Sequence, residues 1–354
     1  MSHAISQKRS GHPYWMYDTL LTQPDVAETL LRDGWEQATT AAETLAGCDR
    51  LFLVGIGSSL HVAQAGAGWV THLAGIDVQA VPSLEFCLYG PALRPGDGVI
   101  VISHSGGGGY TREALILAQQ AGVPVVTLTG QESAMPPATV SLTTSRPEVC
   151  RCHTAGYSGA LIVMIQVATA LTEHMGVPLP DGWHGQLQGI PAMMTAQLGQ
   201  EPDLRAWATE MPRTGNVIVV GAGIHQATAS EVALKMQEAV QRQVQAMTIE
   251  QLAHGPMAAL QDGDLVLTVI PENALAVERQ HQVAKGLAAL NIPIWGISSG
   301  ARRLGPSPLP EWFSPLSHLV PMQLLTYWWA VAMGVDPDWN RLDQPAHAAA
   351  KAHY

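Results

Sequence analysis

The chain has 354 residues, 47% hydrophobic and 13% charged, with a formal net charge of −11; one hydrophobic core seldom grows that large, so two domains are expected. The acidic balance argues against nucleic acid as a partner, and any bound anion must then be held by local geometry. Apolar runs such as GALIVMIQVATAL are too short for a bilayer span and MSHAISQKRSGHPYW lacks a leader's layout, so a cytoplasmic protein with no membrane partner is expected.

Residues 1–34 read as an N-terminal segment. From there, short β-branched strands alternate with longer helices, the order of a parallel sheet with crossover helices. RLFLV (50–54) precedes a helix from Ser59, DVQAV (77–81) is a strand, VIVIS (99–103) precedes a helix from about Thr111, and VPVVTLTG (123–130) follows. Cys48, Cys87, Cys150 and Cys152 are too few and scattered for a disulfide framework, and Cys150-Arg151-Cys152 lacks further ligands at metal spacing, so packed free thiols and no metal are expected.

After the Pro-containing stretch GVPLPDGWHG (176–185) the same order returns. NVIVV (216–220) runs through Gly221-Ala222-Gly223 into the helix ATASEVALKMQEAVQ, GDLVLTVIP (263–271) echoes GDGVIVIS (96–103), and IPIWGISSG (292–300) echoes VPVVTLTG. Gly55 and Gly221, Gly96 and Gly263, and Pro124 and Pro293 lie 166, 167 and 169 residues apart, which reads as an internal duplication. The expected fold is α/β, two tandem doubly wound parallel sheets flanked by helices at 35–176 and 200–335, with a linker and helix at 177–199 and a tail at 336–354.

Two loops of the first copy suit a phosphate. GIGSS (55–59) and SHSGGGG (103–109) each leave a strand through glycines that expose backbone amides, each at the positive end of the next helix, with hydroxyls adding donors. The serines also suit capping of those helices. A dinucleotide site is disfavoured because GIGSSLHV lacks the third glycine of G-x-G-x-x-G and DVQAV ends without an acidic residue; no P-loop lysine follows a glycine either, and no cofactor is expected. In the second copy the position after the repeated strand holds Pro271-Glu272-Asn273, so only the first is equipped to bind an anion.

The chemistry lies in the second copy. Glu231, Lys235 and Glu238 share one helical face, a stripe that by itself reads as a solvated row of ion pairs. In MTIEQLAHGP (247–256), His254 precedes a Gly-Pro turn that fixes its direction. A phosphosugar isomerase needs a carboxylate to move a proton between C1 and C2, a group to open the ring, and often an amine to form an imine; Glu238, His254 and a lysine suit these tasks.

These segments resemble the SIS (sugar isomerase) domain family, in particular double-SIS phosphosugar isomerases like the isomerase half of glucosamine-6-phosphate synthase. The match carries through GIGSS, S-x-S-G, LAGI (73–76), Glu85-Phe86, Ala233-Leu234-Lys235 with Glu238, and His254-Gly255-Pro256, and covers the chain from about Pro13. The resemblance implies that Gly57, Ser58, Ser59, Ser103, His104, Ser105 and Gly106 contact the phosphate and sugar, with Gly108 standing where the family offers a threonine. It implies Glu238 as the base, Lys235 as support for it or the substrate, Thr154 in a further substrate loop with His153 replacing a smaller polar residue, and His254 as the ring-opening group reaching into the neighbouring subunit of a homodimer. The family's imine lysine follows D-Q-P; here Asp343-Gln344-Pro345 is present and Lys351 is the lysine of the tail, one residue beyond the family spacing. With no glutaminase domain ahead of the repeats, the expected activity is conversion of an amino-sugar 6-phosphate such as glucosamine 6-phosphate to fructose 6-phosphate and ammonia. A fructosamine-6-phosphate deglycase and a non-catalytic sugar-phosphate-binding regulator are the alternatives.

Overall fold

A strand whose residues are nearly all apolar is stable only where both faces of its sheet are covered, as in a parallel sheet between helical layers. The computed structural model describes residues 8–272, 274–296, 302–303 and 309–353, and two such sheets form among them. The first contains β1 (Arg50–Gly55), β2 (Asp77–Pro82), β3 (Asp97–Ser103), β4 (Val125–Thr129) and β5 (Val140–Thr143) in the order β2-β1-β3-β4-β5. The second contains β6 (Val217–Gly221), β7 (Val244–Thr248), β8 (Leu265–Thr268) and β9 (Ile294–Gly296) in the order β7-β6-β8-β9. Every pairing is parallel. The chain divides into two compact units, each with one sheet: Gln23–Pro147 with Ala155–Ala192, and Met1–Thr22 with Glu148–Thr154 and Met193–Tyr354.

The expected duplication is visible as repeated physical solutions. Gly55 and Gly221 end the central strands β1 and β6, where the chain doubles back into a helix. A Cβ at Gly55 would lie 2.7 Å from the Ser59 carbonyl carbon, and one at Gly221 would lie 2.4 Å from the His225 carbonyl oxygen. Only glycine permits that approach. The Gly-Asp pairs recur in the same way, each placing a buried carboxylate at the start of the neighbouring strand. Asp97 accepts from Arg50 Nε and Nη2 at 2.9 and 2.8 Å and from Arg94 N at 2.9 Å, and the Arg50 guanidinium holds it below the usual carboxylate range. Asp264 accepts from Asn216 N and Nδ2 at 2.7 and 3.0 Å and from Gln261 N at 2.9 Å. One copy compensates the buried charge with a cation and the other with neutral amides.

The core of the first unit is the helix Ala155–His174, with 18 of its 20 residues buried; it packs against the helices Gln23–Asp33, Trp35–Leu45 and Ser58–Ala74. It is long and apolar enough to cross a membrane, contrary to the reading of its apolar run as too short, but its apolar stretch is buried inside the protein. Its polar groups are bonded there: Gln166 Nε2 donates to Leu30 O at 2.9 Å, and Thr169 Oγ1 accepts from Trp183 Nε1 at 2.9 Å. The edge strand β5 is covered by Gln37, whose amide exchanges bonds with Thr143 N and O at 2.9 and 3.1 Å, which blocks pairing with another chain there.

The close approach at Gly221 predicts that Gly221→Ala lowers unfolding free energy by about 1–3 kcal/mol through overpacking. Gly185→Ala, in the helix Trp183–Gln188 with nothing within 4 Å of the added atom, should be neutral or stabilising by up to about 1 kcal/mol. Urea denaturation of the two variants checks the contrast.

Candidate functional site

In the first unit, β1 and β3 are parallel neighbours with Val54 opposite Val101, so the loops that follow them emerge side by side at the carboxyl end of the sheet. From the first loop grows the helix Ser58–Ala74, with Gly57 at φ 58° before it; from the second grows Gly109–Gln120. Two helix N-termini thus converge, each with positive partial charge. Ser58 and Ser59 are half-buried there. Ser103 Oγ accepts from Gly106 N at 3.1 Å and Ser105 Oγ from Gly107 N at 3.3 Å, an arrangement that leaves each hydroxyl hydrogen available to an anion.

The four glycines have different reasons. Gly106 has φ 68°, and a Cβ there would lie 2.2 Å from Met135 N, so its place is fixed by the backbone. At Gly108 a Cβ would lie 3.2 Å from Thr111 Oγ1. Thr111 is buried with its hydroxyl donating to Ser83 Oγ at 3.2 Å, so a side chain at 108 would press on a hydroxyl already engaged. His104 is half-buried against Gly130, whose missing Cβ gives room to the imidazole, and its carbonyl accepts from Gly130 N at 2.9 Å.

The second copy closes the equivalent place. Four residues after its glycine, where the first copy has Ser59, stands His225, fully buried, with Nδ1 2.6 Å from Ser314 Oγ and Nε2 3.1 Å from Glu311 Oε1. Neighbouring His318 is pushed down to about 3, first by burial and then by His225. A side-chain network fills the strand end. Of Pro271-Glu272-Asn273, Asn273 lies outside the described residues.

The acidic stripe of the second unit is not a solvated face. Glu231 is fully buried and Lys235 is 2% exposed, with Nζ 3.6 Å from Glu231 Oε1 and 2.6 Å from Glu238 Oε2. Burial alone would push Lys235 down, but Glu238 and Glu231 outweigh it and hold the ammonium well above its ordinary value. Glu238 is 23% exposed on its side chain, so the stripe is an internal ion-pair triad with one carboxylate at its open end. Cys152, an inert buried thiol, lies 4.0 Å from Lys235 O, and Cys150 is likewise a buried free thiol.

The remaining candidates have separate surroundings. His254 caps the helix Ile249–Ala253 and is followed by Gly255 at φ 130°; it is 70% exposed, with Nε2 2.6 Å from Glu250 Oε1. Glu250 is gripped by Arg279 Nε at 2.7 Å, and Arg279 and then His254 pull it down. Thr154 is fully buried, its amide donating to both Glu148 oxygens at 3.1 and 3.0 Å and its hydroxyl 3.1 Å from Thr19 Oγ1. Lys351 ends the exposed helix Pro345–Lys351.

The chain thus carries two parallel α/β sheets, with a hydroxyl- and amide-lined strand end in one unit and a buried Glu-Lys-Glu triad in the other. Residues 44–165 and 211–297 match the SIS domain, and the chain belongs to that family. It is 27% identical to a glutamine–fructose-6-phosphate aminotransferase [isomerizing] of Thermococcus kodakarensis over 94% of this chain and 57% of that protein; the chain thus spans little more than half of the relative's length. Its fold is shared with the C-terminal domain of glucosamine-fructose-6-phosphate aminotransferase from Francisella tularensis, with TM-score 0.84 at 17% identity over 93% of this chain and 99% of the other. It is also shared with a glucosamine-6-phosphate deaminase from Thermotoga maritima, with TM-score 0.74 at 18% identity over 92% and 96%.

The triad predicts a specific stability phenotype. Lys235→Met leaves Glu231 buried without a cation and should cost about 3–5 kcal/mol. Since the folded-state value of Lys235 is raised, its contribution is complete at neutral pH and is lost only as pH rises through that value. In the variant, acidification should recover stability as Glu231 takes a proton. Denaturation of both proteins at pH 5 and pH 8 measures this.

Proposed function

We propose that the protein is a phosphosugar isomerase that acts on an amino-sugar 6-phosphate and releases ammonia, converting glucosamine 6-phosphate to fructose 6-phosphate. The observation that carries the reading is Glu238, a partly open carboxylate whose Oε2 is fixed at 2.6 Å by a buried ammonium. Among the described residues its Oε1 has no hydrogen-bond partner, as expected of a base that must reach a carbon-bound proton. Membership of the SIS domain family and the activities for which the relatives are named support the substrate class.

In this reading Gly57, Ser58, Ser59, Ser103, Ser105 and the amides of Gly106 to Gly109 hold the phosphate, with His104 shaping the loop from below. Glu238 carries a proton between C1 and C2 through an enediol-type or enamine intermediate. Lys235 positions that carboxylate, and its strongly held proton makes it a poor nucleophile. The imine role then falls to Lys351. His254, exposed on its Gly-Pro hook, opens the sugar ring and serves the site of a second copy in a homodimer.

Purified protein incubated with glucosamine 6-phosphate should yield ammonia and fructose 6-phosphate in equal amounts, and Glu238→Gln should lower kcat by about 10²–10⁴. A wild-type protein that binds sugar phosphates yet releases neither product from glucosamine 6-phosphate, its epimers or a fructosamine 6-phosphate would defeat the proposal.

A further inference from the structure

His254 is 70% exposed, yet its imidazole is held. The helix Ile249–Ala253 opens with a capping box: Thr248 Oγ1 accepts from Gln251 N at 3.0 Å, and Gln251 Oε1 accepts from Thr248 N at 3.1 Å. The box fixes the turn on which Glu250 and His254, four residues apart, share a face. On that face His254 Nε2 lies 2.6 Å from Glu250 Oε1. Gly255, at φ 130°, turns the chain away directly after the histidine.

An exposed pair at this spacing holds little by itself. Here a second helix, Val277–Ala289, adds a third group: Arg279 Nε donates to Glu250 Oε2 at 2.7 Å and Arg279 Nη2 to Oε1 at 3.1 Å. Arg279 is steadied in turn by Nη1 donating to Gln282 Oε1 at 3.1 Å. A guanidinium fork on both oxygens sets the plane of the carboxylate as well as its place. Arg279 and then His254 pull Glu250 below its usual range, so at neutral pH it is ionised and can only accept. The hydrogen shared with the imidazole therefore sits on Nε2. In the neutral ring the lone pair is then on Nδ1, which has no hydrogen-bond partner among the described residues.

Opening a cyclic sugar moves one proton between two oxygens. The hydroxyl on C1 loses its proton as the C1–O5 bond breaks and the C1–O1 bond becomes double, and O5 gains a proton; nothing is oxidised or reduced. A nitrogen with an open lone pair can take the first proton and deliver it to O5. We propose that Nδ1 is the working atom of His254, and that Glu250, gripped by Arg279, is the positioning residue that keeps Nε2 protonated and the ring aimed. The proposal rests on the phosphosugar-isomerase reading above and deepens it, since the tautomer of the ring-opening group is set before any sugar binds.

Ring opening can be read apart from the proton transfer between C1 and C2. In Glu238→Gln, exchange between the α and β anomers of glucosamine 6-phosphate, followed by NMR, reports ring opening alone. On that background His254→Gln should slow the protein-catalysed exchange by about 10²–10⁴-fold, and Glu250→Ala by about 10²-fold, the cost of a misplaced catalytic group. Both should bind the sugar phosphate and unfold as the parent does, because the side chains lie at the surface. Arg279→Gln, which removes the fork and leaves the pair, should slow exchange in the same direction. Side-chain 15N–1H correlation at alkaline pH, where imidazole is neutral, reads the tautomer directly, with His254→Gln assigning the signals. The wild-type protein should show Nε2 protonated and Nδ1 bare, and Glu250→Ala a mixture of tautomers. A His254 protonated on Nδ1, or Glu250→Ala exchanging anomers at the parent rate, overturns the roles given to Nδ1 and Glu250. Wild-type protein that forms product while Glu238→Gln does not speed anomer exchange overturns ring opening by His254 and leaves the isomerase reading standing. Wild-type protein that converts no sugar phosphate overturns the reading itself, and this proposal with it.

Discussion

The ammonium of Lys235, enclosed between Glu231 and Glu238, is the interaction on which the interior of the helix His225–Val240 depends. A lysine at 2% exposure is tolerable only because two carboxylates sit 3.6 and 2.6 Å away, and each carboxylate in turn is held in direction by it. One end of the triad is sealed and the other is open. The sealed Glu231 makes the arrangement rigid, while the open Glu238 gains a fixed orientation without losing access. The same helix gives its Lys235 carbonyl to the contact with Cys152, so the ion-pair helix and the Glu148–Thr154 segment are built as one assembly.

The two copies of the fold share a frame and divide its uses. Both keep the glycine that lets the central strand fold back into a helix, and both keep the buried aspartate beside it. They part at the carboxyl ends of their strands. The first leaves hydroxyls and amides near two helix ends; the second inserts His225, Ser314 and Glu311 into the corresponding place and consumes the polar groups internally. The second copy instead carries the Glu231-Lys235-Glu238 triad on the helix that follows its central strand.

Much of this was legible in the sequence because it depends on local pattern. Strand and helix order, the repeat and the two loops follow from periodicity and glycine spacing, and they appear where expected, with β1, β3, β4, β6 and β8 within a residue or a few of the anticipated segments. The burial of Glu231 and Lys235 was not legible. Spacing i, i+4, i+7 is the same for a solvated stripe and an internal one, and only the surrounding packing distinguishes them. Glu148 gave no signal either, since a lone carboxylate becomes meaningful only when the chain turns back six residues later to place Thr154 N upon it. The resemblance implies Thr154 as a substrate contact, whereas its amide and hydroxyl are turned toward Glu148 and Thr19.

The glycine run of the first unit has a consequence for how such a loop changes over time. Gly106, at φ 68° with a Cβ meeting Met135 N at 2.2 Å, admits no side chain, and Gly108 is crowded by Thr111. Gly107 meets nothing nearer than Ser105 Oγ at 3.5 Å, and Gly109 meets nothing within 4 Å. The loop therefore contains two vacant attachment points whose occupation disturbs no backbone. Side chains acquired there would remodel the loop's surface beside two helix N-termini in single steps, while the scaffold that holds the loop stayed as it is.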